Sequence, residues 1–354
     1  MSRAARSERP ADDSVQIKLR PLVALFAFMI DLSHLATNLE LRDDGVWFSR
    51  ATSPVSFPED GNQVNFELED RSFWYRHRND CILEVVRSFP PGGPIFDVGG
   101  GNGYVAHALA GASFETVLLE PAIEGIRNAR RRGLRPLVCA SLQDAGFRRR
   151  SLPAVGLFDV LEHIRDDVEF LARMESLLVS QGMLYLTVPA YRLLWSREDD
   201  AAGHYRRYTL GSLKRRLGQA GFDLLFGTYL FWFLPLPILL TRTLPGVLGF
   251  QPGDVRQRYR KEHELRGGMT TRAVRALCAA EHRWIAARRV VPLGGSCLVA
   301  ARARGTGNAG SEAGSSGGSV RGTVQSGEAG EYGSSSLIPD GSSKAPHDPR
   351  QTVV

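Results

Sequence analysis

Four glycines follow a short apolar run in residues 95–104, which read IFDVGGGNGY. Asp97 precedes them, and Gly99, Gly101 and Gly103 stand at every second position after it. Glycine lacks a Cβ, so it adopts positive φ readily and lets a ligand approach the backbone. A helix that begins just after such a turn also offers unpaired backbone amides. This stretch therefore predicts a turn that binds a small molecule against the main chain.

Two cofactor classes compete for this turn. The dinucleotide fingerprint G-x-G-x-x-G fails from Gly99 because Tyr104 stands at its last position, and only the looser form with a final alanine is met. The pattern acid-x-Gly-x-Gly-x-Gly is met at every position from Asp97. A carboxylate here repels a pyrophosphate but attracts the cationic amino group of a methionine moiety. The charge argument favours S-adenosylmethionine, with NAD(P) as the alternative.

Two further positions are candidates for holding the adenosine part of the cofactor. Glu120 ends the strand pattern TVLLE, and a carboxylate there accepts hydrogen bonds from the ribose hydroxyls of either cofactor. Ser141 and the Leu142 amide follow the next strand pattern, near the expected adenine edge. Gln143 and Asp144 are alternatives, and an ordinary polar loop fits these residues equally well.

His163 is the first candidate for acid–base chemistry. It follows Glu162 just beyond the fourth strand pattern, within reach of a methyl group held over the cofactor turn. The unperturbed pKa of histidine, near 6.5, suits a general base. A histidine that packs against the cofactor or caps the next helix is an equal alternative.

A basic and aromatic stretch, GHYRRYT at residues 203–209, follows the fifth strand pattern. Arginine forks match the geometry of phosphate or carboxylate groups. His204 is a second catalytic candidate. The candidates for acceptor binding are Arg206, Arg207 and Tyr208. In the alternative interpretation, Thr209 caps the following helix and the arginines bind the acids of residues 198–200.

Alternating strand and helix patterns must position these residues. Strand patterns are PIFDVG, TVLLE, PLVCA, GLFDVLE and MLYLTVPAY, and helical patterns such as IEGIRNARRRG separate them. Such alternation predicts an α/β fold with a parallel sheet and helices on both faces. Ligands of these folds bind at the carboxyl edge of the strands. His77 and Arg78, on a helix before the sheet, are candidates for a lid, although a core or surface role is the favoured alternative.

Composition and charge narrow the class of protein. The chain has 354 residues, 43% of them hydrophobic, and a formal net charge of +6. Its arginine runs, such as residues 130–132, are typical of solvated faces, so no nucleic-acid partner is expected. The four cysteines form no CxxC pair, which predicts neither a zinc site nor disulfides. The polar start lacks a secretory signal, so a cytoplasmic location is expected.

Several motifs together make the sequence resemble class I S-adenosylmethionine-dependent methyltransferases. DVGGGNG is similar to their first motif, LLE to their ribose-binding acid, and FDVLEHIRDD at residues 158–167 to the motif after the fourth strand. FWYRHRN (73–79), VPAYRLLWSREDDAAGHYRRYT (188–209) and VPLGGSCLVAAR (291–302) resemble a bacterial subgroup often associated with cell-envelope or polysaccharide gene sets. The resemblance covers roughly residues 60 to 303.

The resemblance implies a three-layer, Rossmann-like fold with a seven-stranded, mostly parallel sheet and an antiparallel last strand. FDLLFGTYLF and SCLVAARA are the expected last strands, with a helix over residues 271–289 between them. The N-terminus is expected to be disordered over residues 1–16 and to continue as an extension over 17–69. The methyltransferase domain is expected over 70–303, with an insertion at about 240–268, and a disordered Gly/Ser-rich tail over 304–354.

The function that the resemblance implies is direct methyl transfer, without a metal, to a small-molecule or lipid-linked, envelope-related acceptor. The expected cofactor-binding residues are Asp97, Gly99, Gly101, Gly103, Glu120, Ser141, Leu142 and Asp159. Many relatives carry an aspartate where Ser141 stands here. An oxidoreductase and a catalytically silent adenosine-binding module are the alternatives. Residues 222–240 are apolar enough to suggest membrane-surface contact, with a buried strand and helix as the favoured interpretation.

Overall fold

The computed structural model describes residues 30–50, 61–249 and 269–305. The predicted disordered segments at 1–16 and after residue 305 lie outside the described residues, as does 250–268, the larger part of the predicted insertion. The predicted domain boundaries stay predictions.

A mixed sheet of nine strands forms the centre of the molecule, in the order β1-β2-β5-β4-β3-β6-β7-β9-β8. Its strands are β1 Leu39–Leu41, β2 Val46–Ser49, β3 Ile95–Val98, β4 Thr116–Leu119, β5 Leu137–Cys139, β6 Leu152–Phe158, β7 Leu178–Pro189, β8 Phe222–Leu230 and β9 Ser296–Ala303. Strands β3 to β7 are mutually parallel, and β9 runs antiparallel between β7 and β8. The predicted fold class and the antiparallel last strand are confirmed.

The strand count differs from the predicted seven because the N-terminal extension adds β1 and β2. Val46 of β2 pairs in parallel with Leu137 of β5, and β1 forms the antiparallel edge. These strands have three and four residues, too few for a recognisable period in the sequence. They form because β2 pairs with the edge of β5 and β1 pairs with β2, so tertiary contacts determine whether these strands exist.

Eleven helices lie along the described parts of the chain. They are α1 Gly61–Glu69, α2 Phe73–Ser88, α3 Tyr104–Gly111, α4 Ile123–Arg131, α5 Leu142–Ala145, α6 Asp167–Leu177, α7 Arg197–Ala202, α8 Leu210–Gln219, α9 Pro235–Ile238, α10 Leu244–Val247 and α11 Met269–Ala286. Three 3-10 turns and one π turn add to them, at Leu32–His34, Leu161–His163, Arg192–Leu194 and Leu239–Thr243. Within the described ranges, no helix combines the length and the apolar character that crossing a membrane requires.

The central strands are buried on both faces, as expected for a parallel sheet between helical layers. All four residues of β3 and all four of β4 are buried. Because β3, β4, β6, β7 and β8 point the same way, their carboxyl ends meet at one edge of the sheet. The turns that follow these strands can therefore share one site.

A buried carboxylate fixes the two helices that cover the sheet near this edge. Glu281 of α11 is 2% exposed, and its Oε1 lies 2.7 Å from Nε2 of His77 on α2. Oε1 also accepts a hydrogen bond from the Phe231 amide at 2.7 Å, and Oε2 accepts one from the Trp232 amide at 2.8 Å. Glu281 thus joins α2, α11 and the turn after β8. His77 is a core residue and not part of a lid.

We expect Glu281→Ala to lower the free energy of unfolding by about 3 kcal/mol, because it leaves a buried amide and a buried imidazole without their acceptor. Urea denaturation measures this change. The control is Glu84→Ala on α2, whose carboxylate meets Arg87 at 3.9 Å near the surface and should change stability by less than about 1 kcal/mol. Equal losses in the two variants would contradict the role of Glu281.

Candidate functional site

The glycine-rich turn connects β3 to α3 at the carboxyl edge of the sheet. Gly99, Gly101 and Gly103 have φ of 68°, 54° and 72°, a region that side chains disfavour. Gly100 is constrained differently, since a Cβ there would lie 2.6 Å from Oδ2 of Asp97. The predicted turn is present, and each of its glycines has a structural reason.

Asp97 lies under this turn, where the nearby Arg78 partly offsets its negative charge. It is fully buried, and neither carboxylate oxygen has a hydrogen-bond partner within the described residues. Burial raises the pKa of Asp97 to about 7, while the nearby Arg78 lowers it. Unpaired buried oxygens are rare in folded proteins. This carboxylate can accept a donor group of a ligand, and a cationic amino group fits it best.

Glu120 holds the turn from the end of β4. Its Oε2 accepts a hydrogen bond from the Gly101 amide at 2.9 Å, and its Oε1 accepts one from the Ala122 amide at 2.9 Å. Burial raises the pKa of Glu120 to about 7, although both hydrogen bonds lower it. The residue predicted to bind ribose therefore also shapes the glycine turn. Both oxygens keep a free lone pair for a hydroxyl.

Ser141 and Leu142 lie beyond β5, on the side of the turn where Glu120 stands. The Ser141 hydroxyl accepts a hydrogen bond from the Asp144 amide at 3.1 Å and so caps the short helix α5. Leu142 is 1% exposed. Ser141 already has a structural role, and an adenine contact for these two residues stays a prediction.

Asp159, at the end of β6, is paired inside the protein. Its Oδ2 forms an ion pair with Nη1 of Arg78, and its Oδ1 accepts a hydrogen bond from the Thr187 hydroxyl at 2.9 Å. Arg78 comes from α2, is 6% exposed, and lies over the Trp74 ring at 4.8 Å. Its Nε has no hydrogen-bond partner in the described structure. Arg78 thus brings a buried positive charge to the site.

Strained backbone marks the same edge. Asp159, Tyr191 and Phe231 follow β6, β7 and β8, and they have φ of 58°, 53° and 61°. Positive φ is uncommon for residues other than glycine and is an outlier for bulky ones. Such strain is held only where the surroundings over-determine the conformation, as at ligand sites. The three turns are therefore fixed in place and do not form loose loops.

His163 and His204 lie against each other beside this edge. Their ring centroids are 4.8 Å apart in an edge-to-face arrangement. Burial and the neighbouring His204 lower the pKa of His163 to about 4. His163 is therefore neutral at neutral pH and a weaker base than an ordinary histidine.

Asp199 organises the predicted GHYRRYT stretch. Its Oδ1 lies 2.8 Å from Nδ1 of His204, and Nε and Nη2 of Arg207 donate to it at 2.7 and 2.9 Å. Although burial raises it, hydrogen bonds from His204 and Arg207 bring the pKa of Asp199 down to about 2. Nη1 of Arg207 also donates to the Ala190 carbonyl at 3.1 Å. Arg207 therefore uses these donors to hold the loop and is not placed to bind an anionic acceptor.

Tyr208 and Arg206 also make internal contacts. The Tyr208 hydroxyl donates to Asp167 at 2.9 Å, and the residue is 2% exposed, so it does not line an acceptor pocket. Arg206 pairs with Asp167 at 2.8 Å but is partly exposed. Thr209 caps α8 in a reciprocal arrangement with Ser212. The alternative interpretation, in which Thr209 caps the helix and an arginine binds an acid of residues 198–200, is correct for Thr209 and Arg207. Buried polar groups need hydrogen-bond partners, and these two find theirs within the stretch and its neighbouring helix.

Two clusters bring metal-ligating atoms within 4.8 Å of one another in the described part of the chain: His77 with Cys81 and Glu281, and Glu162 with His163 and His204. The first is committed to structure, since Glu281 accepts from two amides. In the second, Oε2 of Glu162 has no partner within the described ranges. The prediction of a reaction without a metal stays a prediction.

The glycine turn, the acid after β4 and the sheet order agree with a match to a known family. Residues 73–225 match the family model of a methyltransferase domain. This part of the chain is therefore a methyltransferase domain. The prediction of a methyltransferase is confirmed at the level of this domain. No curated protein matches the sequence.

Solved methyltransferases resemble this methyltransferase domain at low sequence identity. A complex of a methyltransferase with the Haloferax volcanii Trm112 activator is 17% identical over 69% of this chain and 93% of that one, with a TM-score of 0.44. An S-adenosylmethionine-dependent methyltransferase from Thermotoga maritima is 14% identical over 68% and 98%, with a TM-score of 0.42. Haemonchus contortus phosphoethanolamine N-methyltransferase 2 is 14% identical over 70% and 58%, with a TM-score of 0.42. These values carry no argument about the substrate.

Two residues of the methyltransferase domain matter more than the sequence predicted. Arg78 was a minor lid candidate, yet it pairs with Asp159 inside the site. Asp199 was only a possible partner for arginines, yet it also holds His204. The motif FWYRHRN contains the signal for Arg78, since an arginine on an otherwise apolar helical face needs a buried partner. The sequence does not name that partner.

The raised pKa of Glu120 predicts a pH-dependent stability. The native carboxyl binds its proton more tightly than the unfolded one, so its contribution to stability falls as pH rises from about 4.5 to about 7. We expect the stability advantage of Glu120→Gln over the wild type to grow by up to about 3 kcal/mol across this range, without cofactor. Urea denaturation at several pH values tests it. Glu124→Gln, on the exposed side of α4, is the control, and the same pH trend in both variants would contradict the assignment.

Proposed function

We propose that the protein transfers a methyl group from S-adenosylmethionine to a small-molecule or lipid-linked acceptor related to the cell envelope. One observation carries the proposal: the Asp97 carboxylate is buried without a hydrogen-bond partner under the glycine turn, within the electrostatic reach of Arg78. A zwitterionic amino-acid group offers the two complementary charges. A pyrophosphate offers none that suits Asp97.

The residues present fit this donor. Asp97 would bind the amino group, the turn from Gly99 to Gly103 would contact the backbone side, and Glu120 would accept hydrogen bonds from the ribose hydroxyls. When bound, S-adenosylmethionine supplies a methyl group that is already activated on a sulfonium centre. The protein must then align the acceptor, exclude water and take up a proton where the acceptor carries one.

Arg78 would bind the carboxylate of the donor. Its guanidinium already pairs with the Asp159 carboxylate, so it can exchange one carboxylate for another or bind both through its five donors. Its free Nε supports this assignment, because that buried donor has no partner within the described residues. Asp159 would then be a positioning residue that keeps Arg78 at the site.

His204 is a better general base than His163, which revises the prediction from the sequence. Asp199, with a pKa of about 2, is ionised and can only accept a hydrogen bond, so Nδ1 of His204 carries the proton. Nε2 of His204 is then free to accept a proton, and it lies 4.0 Å from Oε1 of Glu162. In such an acid–histidine pair, the carboxylate holds the imidazole in one orientation and one tautomer.

Cofactor binding tests the two ends of the site separately. Glu120→Ala should weaken binding of both S-adenosylhomocysteine and methylthioadenosine by about 1 to 3 kcal/mol, since both carry the ribose. Arg78→Met should weaken S-adenosylhomocysteine by a similar amount but leave methylthioadenosine unchanged, because the latter lacks the amino-acid group. Titration calorimetry measures the four affinities.

Two outcomes would contradict the donor assignment. If folded Arg78→Met binds S-adenosylhomocysteine like the wild type, Arg78 does not bind the carboxylate. If the wild type binds NAD(P) and neither adenosyl ligand, the oxidoreductase alternative is correct. Melting temperatures establish that each variant is folded.

The catalytic proposal concerns an acceptor that carries a proton. With such an acceptor, His204→Ala should lower kcat by roughly 10² to 10⁴ fold while the affinity for S-adenosylhomocysteine stays unchanged. His163→Ala should have a smaller effect, because the low pKa of His163 leaves it a weak base. Transfer of a labelled methyl group to envelope-lipid or small-molecule extracts provides the assay. A fully active His204→Ala enzyme would leave alignment as the source of catalysis.

A further inference from the structure

The chain after β8 forms a helical segment, residues 235–248, that exposes a row of leucines. Helices α9 and α10 and the π turn between them build it. Leucines stand at every fourth position and point outward, at 63%, 54%, 41% and 68% exposure, and they are Leu236, Leu240, Leu244 and Leu248. We call these four residues the leucine ridge. A helix normally turns such a row toward the core.

Other exposed apolar side chains lie next to the ridge. Trp232, just before the segment, is 44% exposed, and Leu193 is 70% exposed on the 3-10 turn that contacts the π turn. Leu293 is 46% exposed in the loop leading to Gly295, which approaches Ile238. We call these residues, together with the ridge, the apolar face. Soluble proteins rarely expose large faces of this kind without a binding partner.

The position of this face relates it to the site. Strand β8 ends at Leu230, and its carboxyl end lies at the sheet edge that holds Asp97 and Glu120. The turn between β8 and the ridge is fixed by Glu281. The apolar face therefore begins at the edge from which an acceptor must enter.

Charge indicates the kind of partner. From residue 224 to residue 253 the sequence has no carboxylate, while Arg242 lies within the ridge segment. Arg192 adjoins Leu193 and is exposed. Leucine and tryptophan with arginines and no acid are typical of segments that lie in the interface of an anionic membrane.

We propose that the leucine ridge, with Trp232 and Leu193, docks the protein on the surface of an anionic lipid bilayer. The leucines enter the boundary between head groups and acyl chains, and the exposed Arg192 lies near the anionic head groups. The sequence suggested membrane contact through residues 222–240, but residues 222–230 form strand β8 of the sheet. The proposed membrane contact therefore lies further along the chain, at the ridge. If the proposed methyl transfer is correct, docking would place the site beside a lipid-linked acceptor.

Co-sedimentation with vesicles tests the docking without any methyl transfer. The full-length protein should bind vesicles that contain phosphatidylglycerol and bind pure phosphatidylcholine vesicles more weakly. Leu240→Glu and Leu248→Glu should each weaken binding by about tenfold or more, since each replaces a leucine that would enter the bilayer with a charged side chain. The control is Leu41→Glu on β1, at the opposite edge of the sheet, where the leucine is 45% exposed. It adds the same charge and should bind like the wild type.

Affinity for S-adenosylhomocysteine, measured in each variant, separates docking from the proposed function. Unchanged affinity with lost vesicle binding supports a docking surface apart from the cofactor site. Three results would overturn the proposal: a wild type that stays in the supernatant, ridge variants that bind like Leu41→Glu, or a dimer that Leu240→Glu dissociates in sedimentation velocity. The last result would identify a second copy of the chain as the partner.

Discussion

The placement of one guanidinium among three carboxylates, two of them buried, constrains the carboxyl edge of the sheet. Asp97, Asp159 and Glu162 follow or end parallel strands, so the fold itself brings their like charges together. Removing several carboxylates from water is costly unless a cation accompanies them. Arg78, delivered by α2, is that cation, and it pairs with Asp159 while lowering the pKa of Asp97.

The position of α2 therefore matters as much as the glycine turn. Its N-terminus is capped by the Ser72 hydroxyl, and its face toward α11 is held through His77 and Glu281. Glu281 also binds the amides of the turn after β8. A displacement of α11 would move both Arg78 and the start of the leucine ridge. The position of α2 and the start of the apolar face thus both depend on one buried carboxylate.

A second charged centre, Asp199, holds the loop that follows β7. It collects hydrogen bonds from His204 and Arg207, and it accepts the Ser196 amide at 2.9 Å. Its low pKa keeps it ionised, so it fixes the tautomer of His204. Across the same edge, Asp97 lacks such partners. This contrast between a carboxylate with several hydrogen-bond donors and one without is the reason for proposing Asp97, and not Asp199, as a ligand-binding residue.

The sequence alone determined the parts of this protein that depend on local spacing. The glycine turn and the alternation of strands and helices are readable because each rests on residues close together in the chain. The antiparallel last strand was expected only from the family resemblance, since its direction depends on pairing with β7 and β8. Tertiary structure alone decided the rest. Strands β1 and β2 form because the edge of β5 is open to pairing. Arg207 and Tyr208 point inward because they bind the buried acids Asp199 and Asp167. Arg78 enters the site because it pairs with Asp159, which is 81 residues away in sequence. Partners distant in sequence leave no local pattern, and the pKa of His163 depends on a burial that only the packed fold creates.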